Sequence, residues 1–315
     1  PDFTWVKGRD HAYYHYLQDV VRGSQKIMYT NNTEAEVTIT AGISAWNADG
    51  YVTGSQGALN YNGRSFVAWN WKAGNSSGSS NTDGSITSTV SANTTAGFSI
   101  VTYTGTGSTT TVGHGLGVKP DLVIYKERNN ANSWRVMTDV SGSLKRLYLN
   151  VSDAEASIID SSTAPTSTVL NIGTGSEVNR SSGTFVAYCF ASKKGFSKFG
   201  SYTGNGNADG TFVYTGFKPA WVMLKKSNSA TSADWQIQDS KRPSHNPLPY
   251  YLEANTSNAE VDWTSSFPLD FLSNGFKFRS SGSQANNSGD TYVYMAFAQE
   301  PLVANVGQGI PATAR

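Results

Sequence analysis

Cysteine occurs once in this sequence, at position 189. A lone thiol excludes an intrachain disulfide, and with it the small stapled folds of secreted domains. Charge is scarce: Asp, Glu, Lys and Arg are 15% of the chain, and the formal net charge is +1. That balance gives no electrostatic support for nucleic acid or an anionic membrane surface as partner. No apolar run reaches membrane-spanning length, so membrane insertion is not expected, and no secretory leader pattern opens the chain. Long helical stretches rich in Ala, Glu, Lys and Leu are absent as well. Polarity comes instead from Gly, Ser, Thr and Asn, which favour turns and strand surfaces, with many aromatics that suit pleated, half-buried faces.

Much of the text occurs more than once. "TYTGTGSTTTVGHGLGVKPDLVIYKE" from Thr102 matches "SYTGNGNADGTFVYTGFKPAWVMLKK" from Ser201 without a gap, placing Pro120 against Pro219. "PDFTWVK" at Pro1 reads like "PDLVIYK" and "PAWVMLK". "SFVAWNWKA", "GTFVAYCFA" and "DTYVYMAFA" form a second set, and "YTNNTEAE", "YLNVSDAE" and "EANTSNAE" a third. In that third set an Asn precedes the Glu by five positions: Asn31, Asn150 and Asn255. The constant offset held without a gap through the first two passages, with the further matches, signals copies of one structural unit. The division is module 1 (1–73), a Ser/Thr/Gly-rich linker (74–96) expected to be pliable or weakly extended, module 2 (97–195), module 3 (196–301) and a tail (302–315). Module 1 lacks the "SYTGNG" segment, so its opening strand is expected on residues upstream of Pro1.

Short apolar runs separated by turn signals predict an all-β fold of tandem antiparallel β-sandwich modules, jelly-roll or lectin-like. In module 3 the candidate strands are "KFGSYT", "FVYTGF", "AWVMLKK", "DWQIQD", "PYYLEA", "LDFL", "GFKFRS" and "TYVYMAFAQ". Gly105, Gly204, Gly107 and Gly206 read as turn positions with φ above zero. Pro120 and Pro219 would start strands without a ladder amide. The "SNAE" element could open a brief helical turn, and the shared Asn reads as a turn residue bonding nearby backbone. Cys189 lies in an apolar strand pattern and reads as a small buried hydrophobe.

Catalytic patterns do not survive inspection. His11 and His15 stand four apart on a strand-like stretch, without the Glu of a zinc protease. "GHGLG" around His114 lacks the Lys and helix of a phosphate loop. Asn205, Asn207 and Asp209 are spaced like the start of a calcium loop, but no Glu closes it. Asp139 and Asp239 take one module position, with Asp19 corresponding, and repetition favours a strand-end role over three active sites. No catalytic residue, metal or cofactor is assigned. Among the aromatics, most of which read as core, Tyr13, Tyr14 and Trp263 have no counterpart in the other copies. They are the candidate ligand-binding residues, as platforms for sugar rings or as anchors between chains.

"FVAWNWKAG", "VGHGLGVKPDLVIYKER", "FVAYCFA", "SKFGSYTGNGNADGTFVYTGFKPAWVMLK" and "DVVRG" together resemble a repeat of tail-fibre-like and other virion structural proteins from marine and environmental bacteriophages. The resemblance implies a non-enzymatic virion protein, assembled in the host cytoplasm: a tail fibre or surface appendage for host attachment. Its implied partners are copies of itself, as a homo-oligomer such as a trimer, other virion proteins and a host-surface glycan. The alternatives are a capsid decoration protein and a polysaccharide depolymerase, a glycoside hydrolase for which Asp239 would be the residue to test.

Overall fold

A computed structural model describes residues 1–299 apart from 232, 244 and 264–267; the tail assigned to 302–315 lies outside the described residues. The fold is all-β, built of antiparallel sheets. Module 1 contributes β1 (Phe3–Gly8), β2 (Tyr16–Asp19), β3 (Lys26–Tyr29), β4 (Val37–Thr38), β5 (Ile43–Asn47), β6 (Gly50–Thr53), a four-residue helical turn α1 (Gly57–Asn60) and β7 (Phe66–Trp71). One sheet runs β4-β3-β2-β1-β7, and β5-β6 is a separate hairpin.

The linker, expected to be pliable or weakly extended, is extended and paired over part of its length. It forms β8 (Ser79–Asn81) and β9 (Ser88–Asn93), because its Ser and Thr residues alternate with Val90 and meet a waiting strand edge. Module 2 follows with β10 (Phe98–Thr104), β11 (Thr110–Gly113), β12 (Leu122–Glu127), β13 (Arg135–Thr138), β14 (Lys145–Tyr148), β15 (Ala156–Ser157), β16 (Val169–Ile172), α2 (Ser176–Asn179) and β17 (Thr184–Phe190). The large sheet has the order β15-β14-β13-β12-β17-β10-β9-β8, and β11 pairs β16 in a small one. Val101, Tyr103, Val123 and Phe185 of the large sheet share one buried core with Val112, Leu170 and Ile172 of the small sheet. Two layers closing over one apolar filling is the sandwich arrangement.

Module 3 contains β18 (Ser197–Thr203), β19 (Phe212–Tyr214), β20 (Pro219–Lys226), β21 (Gln236–Asp239), β22 (Tyr250–Glu253), β23 (Val261–Asp262), β24 (Leu269–Leu272), β25 (Gly275–Phe278) and β26 (Thr291–Ala298). Its sheets run β18-β26-β20-β21-β22-β23 and β19-β25-β24. All eight strands expected from the sequence are there. Helical turns occur at α1 and α2, whereas the "TEAE", "SDAE" and "SNAE" stretches are irregular.

By compactness the chain forms two units where the sequence suggested three modules. One holds Pro1–Val151, Ala156–Ala191 and Ala254–Ala259; the other holds Ser152–Glu155, Ser192–Glu253 and the chain from Glu260 onward. Inside the first unit, modules 1 and 2 are joined by buried bonds. Trp134 Nε1 donates to Tyr29 O at 2.7 Å, and Glu36 N donates to Arg128 O at 2.7 Å.

Candidate binding site

The repeated residues are structural first. Counting along the strands, Phe3, Leu122 and Trp221 are equivalent, and their register partners are Asp19, Thr138 and Asp239. Asp139 therefore does not share the position of Asp19 and Asp239; Thr138 holds it, and Asp139 instead pairs with Lys119 at the surface. Asp19 Oδ1 accepts from the amides of Val21 and Arg22, and its Oδ2 from Arg22 Nε at 2.5 Å. Arg22 Nη1 reaches Glu36 at 3.0 Å. Asp239, Arg242 and Glu260 repeat the cluster bond for bond, at 2.6 and 2.9 Å. Both aspartates are buried with an arginine between them and the glutamate, so each is committed to neutralising a buried guanidinium. Hydrogen bonds from Arg128 and the charge of Arg22 outweigh burial and hold the Glu36 carboxyl below the usual range.

The histidines take separate roles. His11 is exposed, while His15 is fully buried and its Nδ1 accepts from Trp5 Nε1 at 2.8 Å. Residues 9–15 form the connection between β1 and β2 rather than a strand, so the one-face spacing does not arise. His114 is buried in its turn, where its Nδ1 accepts from Leu116 N, and burial lowers its pKa.

The calcium-like loop is organised by an asparagine. Asn286 Nδ2 donates to Asn205 Oδ1 at 2.8 Å, Asn207 O at 3.0 Å and Ser280 O at 2.8 Å, and its Oδ1 accepts from Asn205 N and Thr211 Oγ1. An amide nitrogen stands among the oxygens a cation would want. Asp209 turns out to Lys277 at 2.6 Å. Asn179 does the same in module 2: Nδ2 donates to Ser108 O and Gly173 O, and Oδ1 accepts from Thr106 N. Sequence reasoning missed this pair, although a signal exists. Asn60, Asn179 and Asn286 each lie six residues before the aromatic of the last strand, Phe66, Phe185 and Tyr292.

The same clasp corrects the glycine reading. Gly107 and Gly206 do have positive φ, at 77° and 65°. Gly105 and Gly204 do not; they are glycine because a Cβ there would enter the backbone carbonyls of Arg180 and Asn287. The shared Asn31 and Asn150 reach further than a local turn: their Oδ1 atoms accept from the amides of His15 and Trp134, sixteen residues back.

Lys7, Lys126 and Lys225 end the equivalent strands, and all three are fully buried. Lys126 Nζ donates to Glu127 O, Asn130 O and Thr33 O; Lys225 Nζ donates to Ala233 O and Ser152 O. Burial lowers both amines to about 8. One acceptor of each lysine belongs to the preceding module's repeated stretch, Thr33 O in "NTEAE" for Lys126 and Ser152 O in "VSDAE" for Lys225, so these two stretches serve as arms that cap a buried lysine. Cys189 is buried too, with its pKa pushed up to about 12, as fits a small hydrophobe.

One open groove of about 510 Å³ lies in the first unit. Its walls include Asp2, Ser24, Ser44, Trp46, Asn47 and Asn75. Trp46 stands on the β5-β6 hairpin, held edge-on by Tyr51 at 5.8 Å. Its indole N–H is buried with no hydrogen-bond partner among the described residues. Asn75 adopts a φ of 60° and donates its amide to Asp2 Oδ2, which folds the Ser-rich stretch after β7 into a groove wall. Among the side chains of the lining there is one carboxylate, that of Asp2, and no cationic side chain. Such a surface suits a neutral, hydroxyl-rich ligand better than an anion.

The three residues singled out from the sequence lie elsewhere. Tyr13 is half-buried beside His11 at 5.0 Å, and Tyr14 is 43% exposed with its ring edge-on to Tyr29. Trp263 is half-buried against Tyr251 at 4.2 Å. None of the three lines the groove. Trp46 belongs to the "WNADGY" stretch, which has a module 3 counterpart in "FLSNGF".

Comparison with known families places all three modules in one domain. The chain belongs to the DUF7483 family. That family is described as a domain of unknown function, and its model matches residues 1–301. No curated protein and no solved structure matches the chain.

Proposed function

We propose that this DUF7483 chain is a non-enzymatic virion structural protein of a bacteriophage. In this reading it is a tail-fibre or surface-appendage protein that attaches to the host by binding a neutral surface glycan in the Trp46 groove. The virion context rests on the resemblance of the module text. The binding role rests on one observation: a groove lined by small polar side chains around the aromatic residue Trp46. Such side chains can exchange hydrogen bonds with sugar hydroxyls while the sugar ring covers apolar surface.

Homo-oligomerisation and attachment to other virion proteins belong to the same proposal. The depolymerase alternative is weakened by Asp239, whose carboxylate is taken up by Arg242. The test is a glycan array that carries neutral and acidic bacterial polysaccharides. Neutral ligands should be retained by Tyr14→Ala and Trp263→Ala and lost with Trp46→Ala. Binding that survives Trp46→Ala, or silence across the whole array, would remove the attachment role.

A further inference from the structure

The small sheet of module 3 carries an aromatic strip that its counterpart in module 2 lacks. Along β19 the side chains alternate: Val213 enters the core, while Phe212 and Tyr214 point outward at 43% and 58% exposure. Two steps along a strand set these residues about 7 Å apart on one face. Each ring leans on a glycine. A Cβ on Gly275 would stand 2.9 Å from the Phe212 ring, and the nearest atom to a Cβ on Gly216 is the Tyr214 hydroxyl, at 3.5 Å. With no side chain beneath them, both rings can lie along the backbone instead of standing off it.

The main chain beside the rings is open as well. Phe278 N donates to Thr211 O and Thr215 N to Asn274 O, so the backbone groups of Phe212 and Tyr214 face away from β25. Counting from the core valines Val112 and Val213, module 2 holds Thr111 and Gly113 at these positions. There the linker occupies the edge: Ile86 N donates to Thr111 O at 3.0 Å and Ser88 Oγ to Gly113 O at 2.9 Å. In module 3, Lys198 Nζ donates to Tyr214 O at 2.7 Å and stands 5.3 Å from the centre of the Tyr214 ring, and nothing among the described residues donates to Phe212 O. Lys277 and Arg279 nearby are neutralised by Asp209 and Asp270. Lys198 is half-buried and has no carboxylate partner among the described residues.

We infer that this strip binds an acidic polysaccharide of the uronate type. Sugar rings lay their C–H faces on Phe212 and Tyr214, the Lys198 ammonium takes a carboxylate, and the backbone groups of Phe212 exchange hydrogen bonds with hydroxyls. Two aromatics at about half exposure offer roughly 200 Å² of ring surface, far below the ~800 Å² per partner of a stable protein interface. The strip therefore fits one narrow chain, and the uncompensated ammonium selects an anionic one. This site is separate from the Trp46 groove: neutral glycans report the groove, uronates report the strip, and either can fail alone.

The test is isothermal titration of the intact chain with galacturonate, mannuronate, guluronate and glucuronate tetramers and with their methyl esters, which keep the rings and lose the charge. At least one uronate should bind saturably, more weakly as salt is raised, and its ester about tenfold more weakly, the worth of a charge-assisted hydrogen bond. Phe212→Ala and Tyr214→Ala should each weaken binding about tenfold with the urea midpoint nearly unchanged, because both side chains are exposed. Lys198→Gln keeps a donor for Tyr214 O but no charge, so it should bind acid and ester alike. Trp46→Ala should bind the uronate as the unaltered chain does. No uronate bound, equal affinity for acid and ester, or full binding by Tyr214→Ala would each overturn the inference. So would sedimentation that shows a dimer dissolved by Tyr214→Ala, since the strip would then be an interface between copies of the chain.

Discussion

Replacing Asn286 by alanine isolates the clasp that closes module 3. The side chain is fully buried; three acceptors share the two hydrogens of Nδ2, and Oδ1 accepts two bonds. At about 1 kcal/mol net for each of four full bonds the sum is roughly 4 kcal/mol. Bonds that share one side chain are not additive, and Asn205 and Asn207 lie at the surface where water can replace a partner. The expected loss is therefore about 2–4 kcal/mol. Asn179→Ala gives up three bonds and should lose less, while Asn60→Ala gives up one exposed bond and should stay within roughly 0.5 kcal/mol. Asn286→Asp should be at least as damaging as alanine, since it sets a carboxylate oxygen against three other oxygens. The measurement is urea unfolding of the intact chain, with amide exchange over Phe212–Tyr214 to locate the loosened region. If Asn286→Ala and Asn60→Ala cost the same, the clasp is not what holds the turn.

Two other outcomes follow from the buried charges and the phenols. Lys126 and Lys225 titrate near pH 8 in the folded chain against 10.5 when unfolded, so between those values the unfolded state binds more protons and stability rises with pH, by roughly 1.4 kcal/mol per pH unit for each lysine. Above about pH 10 the sign reverses: buried tyrosines such as Tyr103, Tyr188 and Tyr202 stay protonated in the fold while unfolded phenols ionise. Urea midpoints measured from pH 7 to 11 should peak between about 9 and 10, and Lys126→Met should flatten the rise; a midpoint that falls steadily from pH 8 contradicts the assignment. For the ion cluster, Arg242→Met should destabilise by about 3–5 kcal/mol because it strands the Asp239 and Glu260 carboxylates, and adding Asp239→Asn should recover part of that loss in a double-mutant cycle.

Strand content, strand positions in module 3 and the threefold repetition were legible in the sequence. Apolar runs and turn residues are local: a continuous apolar run such as "AWVMLKK", which opens at a Pro, reads as a strand buried on both faces, as it is. The positions that failed are those whose reason is distant in sequence. Gly105 is glycine because of a carbonyl 75 positions later, and Asn286 is required by a loop about 80 positions earlier. The Ser/Thr-rich stretch at 79–93 reads as pliable or weakly extended; its pairing depends on the edge of β10, which no local pattern displays.

The amino-acid sequence by itself determined that this protein is β-structured, modular and built with few charges, since hydrophobic period and turn chemistry act between near neighbours. The tertiary structure alone decided which carboxylates are spent on arginines, which lysines are buried under an arm and where a groove opens around Trp46. Burial and hydrogen-bond partnership are properties of a place in space, and chain neighbours do not carry that information.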